Sequence, residues 1–249
     1  MTRTVIITGA ASGIGLACVE HQLALGWRVA LIDRDATALE KARGALARPR
    51  ETLSLCVDVT DEAVVNEAVA AAGRLAPIRG LINSAAVGAD QSFEATSVER
   101  FRKILDVNVI GSFIVARAAI RAMRESGGGA IVNLASVSGL RGNIGRAAYG
   151  ASKGAVITMT QVMAVELASA NIRVNAIAPG PVETAMVRAM HTSEARQNWV
   201  RRVPQRRYGE PHEIARSAAF LLDDEQSRYI TGHVLAVDGG FLAGGVLPE

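Results

Sequence analysis

Thr4-Val5-Ile6-Ile7-Thr8-Gly9-Ala10-Ala11-Ser12-Gly13-Ile14-Gly15 is the stretch whose reading decides the fold. A short apolar, β-prone run breaks into a glycine-rich turn, and the helix-compatible Leu16 to Leu25 follows. Strand, turn and helix in that order aim main-chain N–H groups and the positive end of a helix at one spot, where a pyrophosphate can be held. Glycines there let the backbone turn tightly and approach such a ligand. The spacing is Gly-x-x-x-Gly-x-Gly rather than the Gly-x-Gly-x-x-Gly of many dinucleotide folds, so the turn draws its weight from context. That context is a second run, Arg28-Val29-Ala30-Leu31-Ile32, ending at Asp33. A carboxylate so placed can accept hydrogen bonds from both hydroxyls of an adenosine ribose, although an Asp after a strand also serves as a helix cap. Gly9, Ser12, Gly13, Ile14, Gly15 and Asp33 are the first candidate ligand contacts.

Outward from this unit, strands are expected near 4–8, 28–32, 52–57, 79–83, 130–134, 172–177 and 233–237, separated mostly by alanine-rich helical stretches. Such alternation predicts an α/β fold: a Rossmann-type, doubly wound parallel sheet of about seven strands with helices on both faces. With 249 residues and 49% hydrophobic content the chain can bury one large core, and no linker divides it. A single domain over 1–249 is expected. Ligands in such sheets bind beyond the carboxyl ends of the strands.

The bulk numbers exclude several function classes. A net charge of +3 with scattered arginines and no aromatic-interleaved basic stripe argues against a nucleic-acid partner. No apolar run approaches the roughly 20 residues of a membrane helix, and the N-terminus lacks a signal pattern, so a cytoplasmic protein without a membrane partner is expected. Two cysteines, Cys18 in the first helical run and Cys56 in a buried-looking strand, read as core thiols of a reducing compartment. The four histidines show no metal-ligand spacing, and no metal is expected.

Ser136, Tyr149 and Lys153 carry the chemistry. If 147–167 is helical, Tyr149 and Lys153 are one turn apart on the same face. A phenol beside an ammonium ion is a tunable acid, its pKa drawn down from about 10. Lys41, Lys103 and Lys153 are the only lysines in a chain that otherwise writes its positive charge as arginine. Spacing alone leaves open that Tyr149 and Lys153 merely pack on a helix with the ammonium in solvent.

Thr8-Gly9-x-x-x-Gly13-x-Gly15, Asn83-Ser84-Ala85, Ser136, Tyr149-x-x-x-Lys153 and Pro179-Gly180 together resemble the short-chain dehydrogenase/reductase family, in order and over essentially the whole chain. The resemblance implies a nicotinamide cofactor and reversible hydride transfer between a secondary alcohol and a ketone. Tyr149 would exchange the proton, Ser136 orient the oxygen, and Lys153 tune Tyr149 and hold the nicotinamide ribose. Asn108 would hold a water in a relay with Lys153, where the plainer reading is a side-chain-to-backbone bond that kinks its helix. Among cofactor contacts the resemblance implies Asp58 and Val59 at the adenine, Asn83 and Ala85 along the cofactor, and Pro179, Gly180, Val182 and Thr184 at the nicotinamide. Competing uses are a helix cap near Asp61, a strand-bracing role for Asn83, which we favour, and an N-cap for Thr184. Where the family often has Asn-Asn-Ala-Gly, this chain has Asn83-Ser84-Ala85-Ala86, a mild departure.

The segment 186–208 corresponds to the family's substrate lid, with Trp199 read as the anchor that packs it down. Asp33 should favour NAD over NADP by repelling a 2′-phosphate, with Arg34 as a partial offset. Arg141, Arg146 and Arg202 near the expected substrate site read as surface charge, while an anionic substrate would be the sharper explanation. The resemblance suggests a homotetramer built through helices near 98–124 and 149–167 and the last strand. The alternatives are a 3-oxoacyl carrier-protein reductase and a non-catalytic dinucleotide-binding protein.

Overall fold

Side chains alternate between two apolar layers along each strand. In β1 (Thr4–Thr8), Val5 and Ile7 enter one layer and Ile6 the other; in β2 (Arg28–Asp33), Val29 and Leu31 join the first while Ala30 and Ile32 join the second. A strand buried on both faces loses polar alternation and reads as a continuous apolar run. The computed structural model describes residues 2–244. The remaining strands are β3 (Thr52–Cys56), β4 (Ile78–Asn83), β5 (Gly129–Leu134), β6 (Ile172–Pro179) and β7 (Val234–Val237). They form one all-parallel sheet in the order β3-β2-β1-β4-β5-β6-β7. The seven strands expected from sequence are all present.

The helices are α1 (Gly13–Ala24), α2 (Ala36–Leu46), α3 (Glu62–Gly73), α4 (Val98–Leu105), α5 (Ser112–Glu125), α6 (Ala147–Leu167), α7 (Ala185–Met190), α8 (Ser193–Arg202) and α9 (Pro211–Leu222). α1, α2 and α9 cover one face of the sheet, and α3, α5 and α6 the other. Capping fixes several starts: the carboxylate of Asp35 accepts from Ala38 N, that of Asp61 from Ala63 N and Val64 N, and the hydroxyl of Ser97 from Arg100 N. Each such cap contributes about 1 kcal/mol.

Two expectations need correction. Cys56 is exposed, because β3 is the edge of the sheet and Cys56 ends it. Cys18 is buried as expected, and burial pushes its thiol up to about 12. The helical stretch across 98–123 is also interrupted, by a π-helical turn at Asp106–Gly111. There Gly111 lies so close to the segment between β3 and α3 that a Cβ would meet Val59 Cγ2 at 2.5 Å, and the Ser112 hydroxyl donates to the Asn108 carbonyl at 2.8 Å. Such wide turns within helices mark functional sites.

The strand order reverses between β1 and β4. β1 leads outward through β2 and β3, and β4 leads through β5 to β7, so their carboxyl ends part and leave a crevice.

Candidate active site

A cleft opens at that reversal. Gly9, Ser12, Gly13, Ile14, Gly15, Asp33, Asp58, Val59, Ala85, Ser136, Tyr149, Lys153, Pro179, Gly180, Val182 and Thr184 all line it. Of the catalytic and cofactor candidates read from sequence, Asn83 and Asn108 do not, and neither do Trp199, Arg141, Arg146 and Arg202. Lining residues that sequence reasoning passed over include Val57, Val87 and Val107. Their signal was positional: each lies beside a residue already named or, for Val107, beside Asn108.

Main-chain geometry builds the turn. Gly9 has φ +63°, a left-handed conformation that favours glycine, and a Cβ on Gly15 would stand 2.0 Å from the Gly9 carbonyl oxygen. The turn is locked to β2 by Asp33, whose carboxylate accepts from Ala11 N at 3.0 Å and from Asp35 N at 3.1 Å. The cap of α2 is Asp35, not Asp33. Two N–H bonds leave a carboxylate with further lone pairs, so Asp33 can still accept from ligand hydroxyls. Ser12 starts α1 without a side-chain capping bond, which leaves its hydroxyl for a ligand. Across the crevice, the Thr8 hydroxyl accepts from both Ser84 N and Ala85 N at 3.0 Å and ties β1 to the segment after β4.

Asp58 accepts from Thr60 N at 2.9 Å and the Thr60 hydroxyl at 2.7 Å; these bonds, with a smaller contribution from the Arg34 charge, hold its carboxyl below the usual range. Asp61 caps α3, so Asp58 is not needed for that purpose. Asn83 is buried and donates to Asn133 Oδ1 at 2.9 Å and the Ser112 carbonyl at 3.3 Å. Bracing β4 against β5 and α5 is therefore its work, and its side chain does not face the cleft. Thr184 both lines the cleft and caps α7 by accepting from Val187 N. These residues suit a nicotinamide dinucleotide: a glycine cradle with no room for side chains, a helix start, and an acid at the end of β2.

The three residues expected to carry the chemistry sit at the carboxyl end of β5 and the start of α6. Ser136 accepts from Ser138 N at 3.1 Å, which aims its hydroxyl, and hydrogen-bonds the Tyr149 phenol. Tyr149 and Lys153 share a helix face as expected, with Nζ 5.6 Å from the ring centroid. Their electrostatics differ from expectation. Burial raises the Tyr149 pKa, with Arg146 and the Ser136 bond pulling against it. Burial also lowers the Lys153 ammonium to about 8 while it donates to the Leu134 carbonyl at 2.6 Å. The cation that lowers Tyr149 in this structure is Arg146. Asn108, in the π-helical turn, accepts from Val87 N at 2.8 Å and donates to the Val87 carbonyl and to Ser152 Oγ, both at 3.0 Å. It clips the segment after β4 to α6, a different bond from the local helix kink.

α7 borders the cleft through Ala185, Met186 and Val187. Met186 and Met190 lie with Tyr149 around Gly88, so this wall is apolar. Trp199 packs 5.2 Å from Phe241 and stacks on His191 at 6.1 Å, the anchoring role expected of it. Arg141 lies over Phe241, and Arg202 is exposed. Arg146 corrects the surface reading: its side chain is 10% exposed and ion-paired to Asp90 at 2.8 Å.

The chain matches the family model described as enoyl-(acyl carrier protein) reductase over residues 9–242. It is 43% identical over 241 residues to galactitol 2-dehydrogenase (L-tagatose-forming) of Cereibacter sphaeroides, spanning 94% of this chain and 93% of that one. Among solved structures, 3-ketoacyl-(acyl-carrier-protein) reductase from Brucella melitensis complexed with NADH has a TM-score of 0.89 at 33% identity, over 96% of this chain and 98% of that chain. ElxO with NADP bound has a TM-score of 0.90 at 31% identity, over 98% and 100% respectively.

Proposed function

The chain belongs to the short-chain dehydrogenase/reductase family and is an oxidoreductase of alcohols and ketones, and on that premise we propose that it works with NAD in preference to NADP and that Tyr149 carries the proton. The observation that supports this best is the meeting of Ser136, Tyr149 and Lys153 with the glycine turn and Asp33 on one cleft. A bound nicotinamide supplies the hydride exchange that residues of this kind cannot. The protein's own part is to bind, orient and move a proton. Tyr149 exchanges that proton with the substrate oxygen, and Ser136, fixed by Ser138 N, holds the same oxygen. Lys153 keeps two N–H donors beyond its bond to Leu134, enough for a ribose hydroxyl. The Asn108 side chain is committed to Val87 and Ser152 and its carbonyl accepts from the Ser112 hydroxyl, so a relay water would take that carbonyl's second lone pair.

Asp33 supports the cofactor preference, because a fixed carboxylate repels a 2′-phosphate. Arg34, which also lines the cleft, opposes it in part. The chain acts as one dinucleotide-binding domain, with 186–208 as the substrate lid. No helix among the described residues is long and apolar enough to cross a membrane, and the free thiols Cys18 and Cys56 suit the reducing cytoplasm. Exposed Val98, Ile110 and Phe113 on the 98–125 segment and Val162 and Val165 on α6 support a homotetramer through those helices. A panel of secondary alcohols, ketones and one 3-oxoacyl thioester, followed by nicotinamide absorbance with each cofactor, tests the reading. Higher kcat/KM with NAD on simple alcohols is expected; higher kcat/KM with NADP on the thioester would replace it with the carrier-protein reductase.

A further inference from the structure

Arg146, the cation that pulls the Tyr149 pKa down, is held in place by an ion pair to Asp90 and a bond to His191. It lies three residues before Tyr149, and its guanidinium carbon is 5.4 Å from the Tyr149 ring centroid. Nε donates to Asp90 Oδ1 at 2.8 Å, and Nη2 reaches Asp90 Oδ2 at 3.3 Å and His191 Nε2 at 3.0 Å. A guanidinium can only donate, so His191 Nε2 is the acceptor. The ring proton is then on Nδ1, directed at the Tyr208 hydroxyl 2.9 Å away, and the imidazole is neutral. Burial and the Arg146 charge both hold the His191 pKa down.

The clamp has two jaws. Asp90 belongs to the segment after β4, which is pinned to the Arg146 loop by the bond from Gln91 N to the Gly145 carbonyl. His191 joins α7 to α8, is stacked on Trp199, and is bonded to Tyr208. A shielded Arg–Asp pair is weak evidence for stability, because desolvation offsets most of the attraction. Its position against the phenol gives it another use. Lys153, the cation one turn along α6, loses its charge near pH 8, whereas a guanidinium keeps its charge throughout.

We propose that Arg146 is a positioning residue for Tyr149, a permanent second cation that Asp90 and the lid residue His191 hold against the phenol ring to favour the phenolate. The inference rests on Tyr149 being the proton carrier. Facing the phenol are Lys153 from α6, Ser136 from the end of β5, and Arg146; behind Arg146 stand Asp90, His191, Tyr208, Arg196 and Glu183. Only Arg146 combines a fixed positive charge with contact to the ring.

The test is the pH profile of kcat for oxidation of one neutral secondary alcohol at saturating NAD, with Arg146→Met, Arg146→Lys and His191→Asn beside the wild type. An opposite charge at this distance, partly offset by Asp90, should move the phenol by about one pH unit. Arg146→Met should therefore shift the rising limb upward by about that much, cutting kcat about tenfold below the limb and recovering above it. Arg146→Lys should restore most of the difference, and His191→Asn should shift the limb in the same direction by less. A fall in kcat uniform across pH with an unmoved limb in both Arg146→Met and His191→Asn would overturn the proposal, as would a defect confined to the KM of anionic substrates. Tyr149→Phe in the same series separates the premise: if it turns over like the wild type, the proton-carrier reading fails regardless of Arg146.

Discussion

The two ends of the cleft are built from different materials. The dinucleotide end is main chain: a glycine turn, strand ends, and N–H groups fixed by Thr8 and Asp33. Behind the Tyr149 end of the cleft lies a mesh of side chains, Asp90, Arg146, His191, Trp199, Tyr208 and Phe241, none of which lines the cleft itself. A turn made of backbone has no spare volume, so its fit can be adjusted only at flanking side chains such as Asp33. A site made of side chains can be rebuilt residue by residue, which is how one fold can serve many substrates.

The contrast can be broken most sharply at Gly15. An added Cβ would meet the Gly9 carbonyl oxygen at 2.0 Å, so Gly15→Ala must displace the turn. Cofactor affinity, followed by nicotinamide fluorescence, should fall by about 100-fold or more, the scale of losing a positioned backbone site. Trp199→Phe, at the other end, should leave that affinity unchanged.

A second test exploits the burial of Lys153, 3% exposed, whose folded-state pKa of about 8 lies below the ordinary 10.5. A cation with a depressed pKa destabilises the fold fully below that value, and the cost is lifted as pH rises from about 8 toward 10.5. Unliganded Lys153→Met should therefore be more stable than wild type at pH 7 by about 1–2 kcal/mol, with the gap narrowing by pH 10, while activity is lost. Thermal unfolding at the two pH values reads this directly. Equal stability at pH 7 would mean that the site does not strain its lysine.

The smallest effect is expected at a surface pair that does not line the cleft. Arg207 and the Glu210 N–H draw the Glu213 carboxyl down to about 2. That stabilisation is present above the ordinary 4.5 and is lost as pH falls toward 2. Because the pair is partly solvated, Glu213→Gln should cost no more than about 1 kcal/mol at pH 7 and nothing at pH 2.

Legibility in the sequence followed the same division. The glycine turn, Asp33 and the buried strands could be read because backbone geometry restricts residue type locally: glycine where a Cβ cannot fit, unbroken apolar runs where both faces are covered. Ser136, Tyr149 and Lys153 were legible through spacing. The π-helical turn at 106–111 was not, because its cause is the approach of Val59 to Gly111, a contact between residues about fifty apart in the chain. Cys56 was misread as buried because an edge strand has the composition of its central neighbours. Arg146 looked like one more surface arginine, since nothing near it in sequence names Asp90 and His191 as its partners.

The central claim, that one cleft binds the cofactor with its backbone and moves the proton with one phenol, is tested most directly by Tyr149→Phe measured in two ways at once. Cofactor binding by titration should stay within about twofold of wild type, while turnover of the best alcohol from the panel should drop by about 100-fold or more. Normal binding with wild-type turnover would contradict the assignment of the proton to Tyr149, and loss of both together would contradict the separation of the two ends.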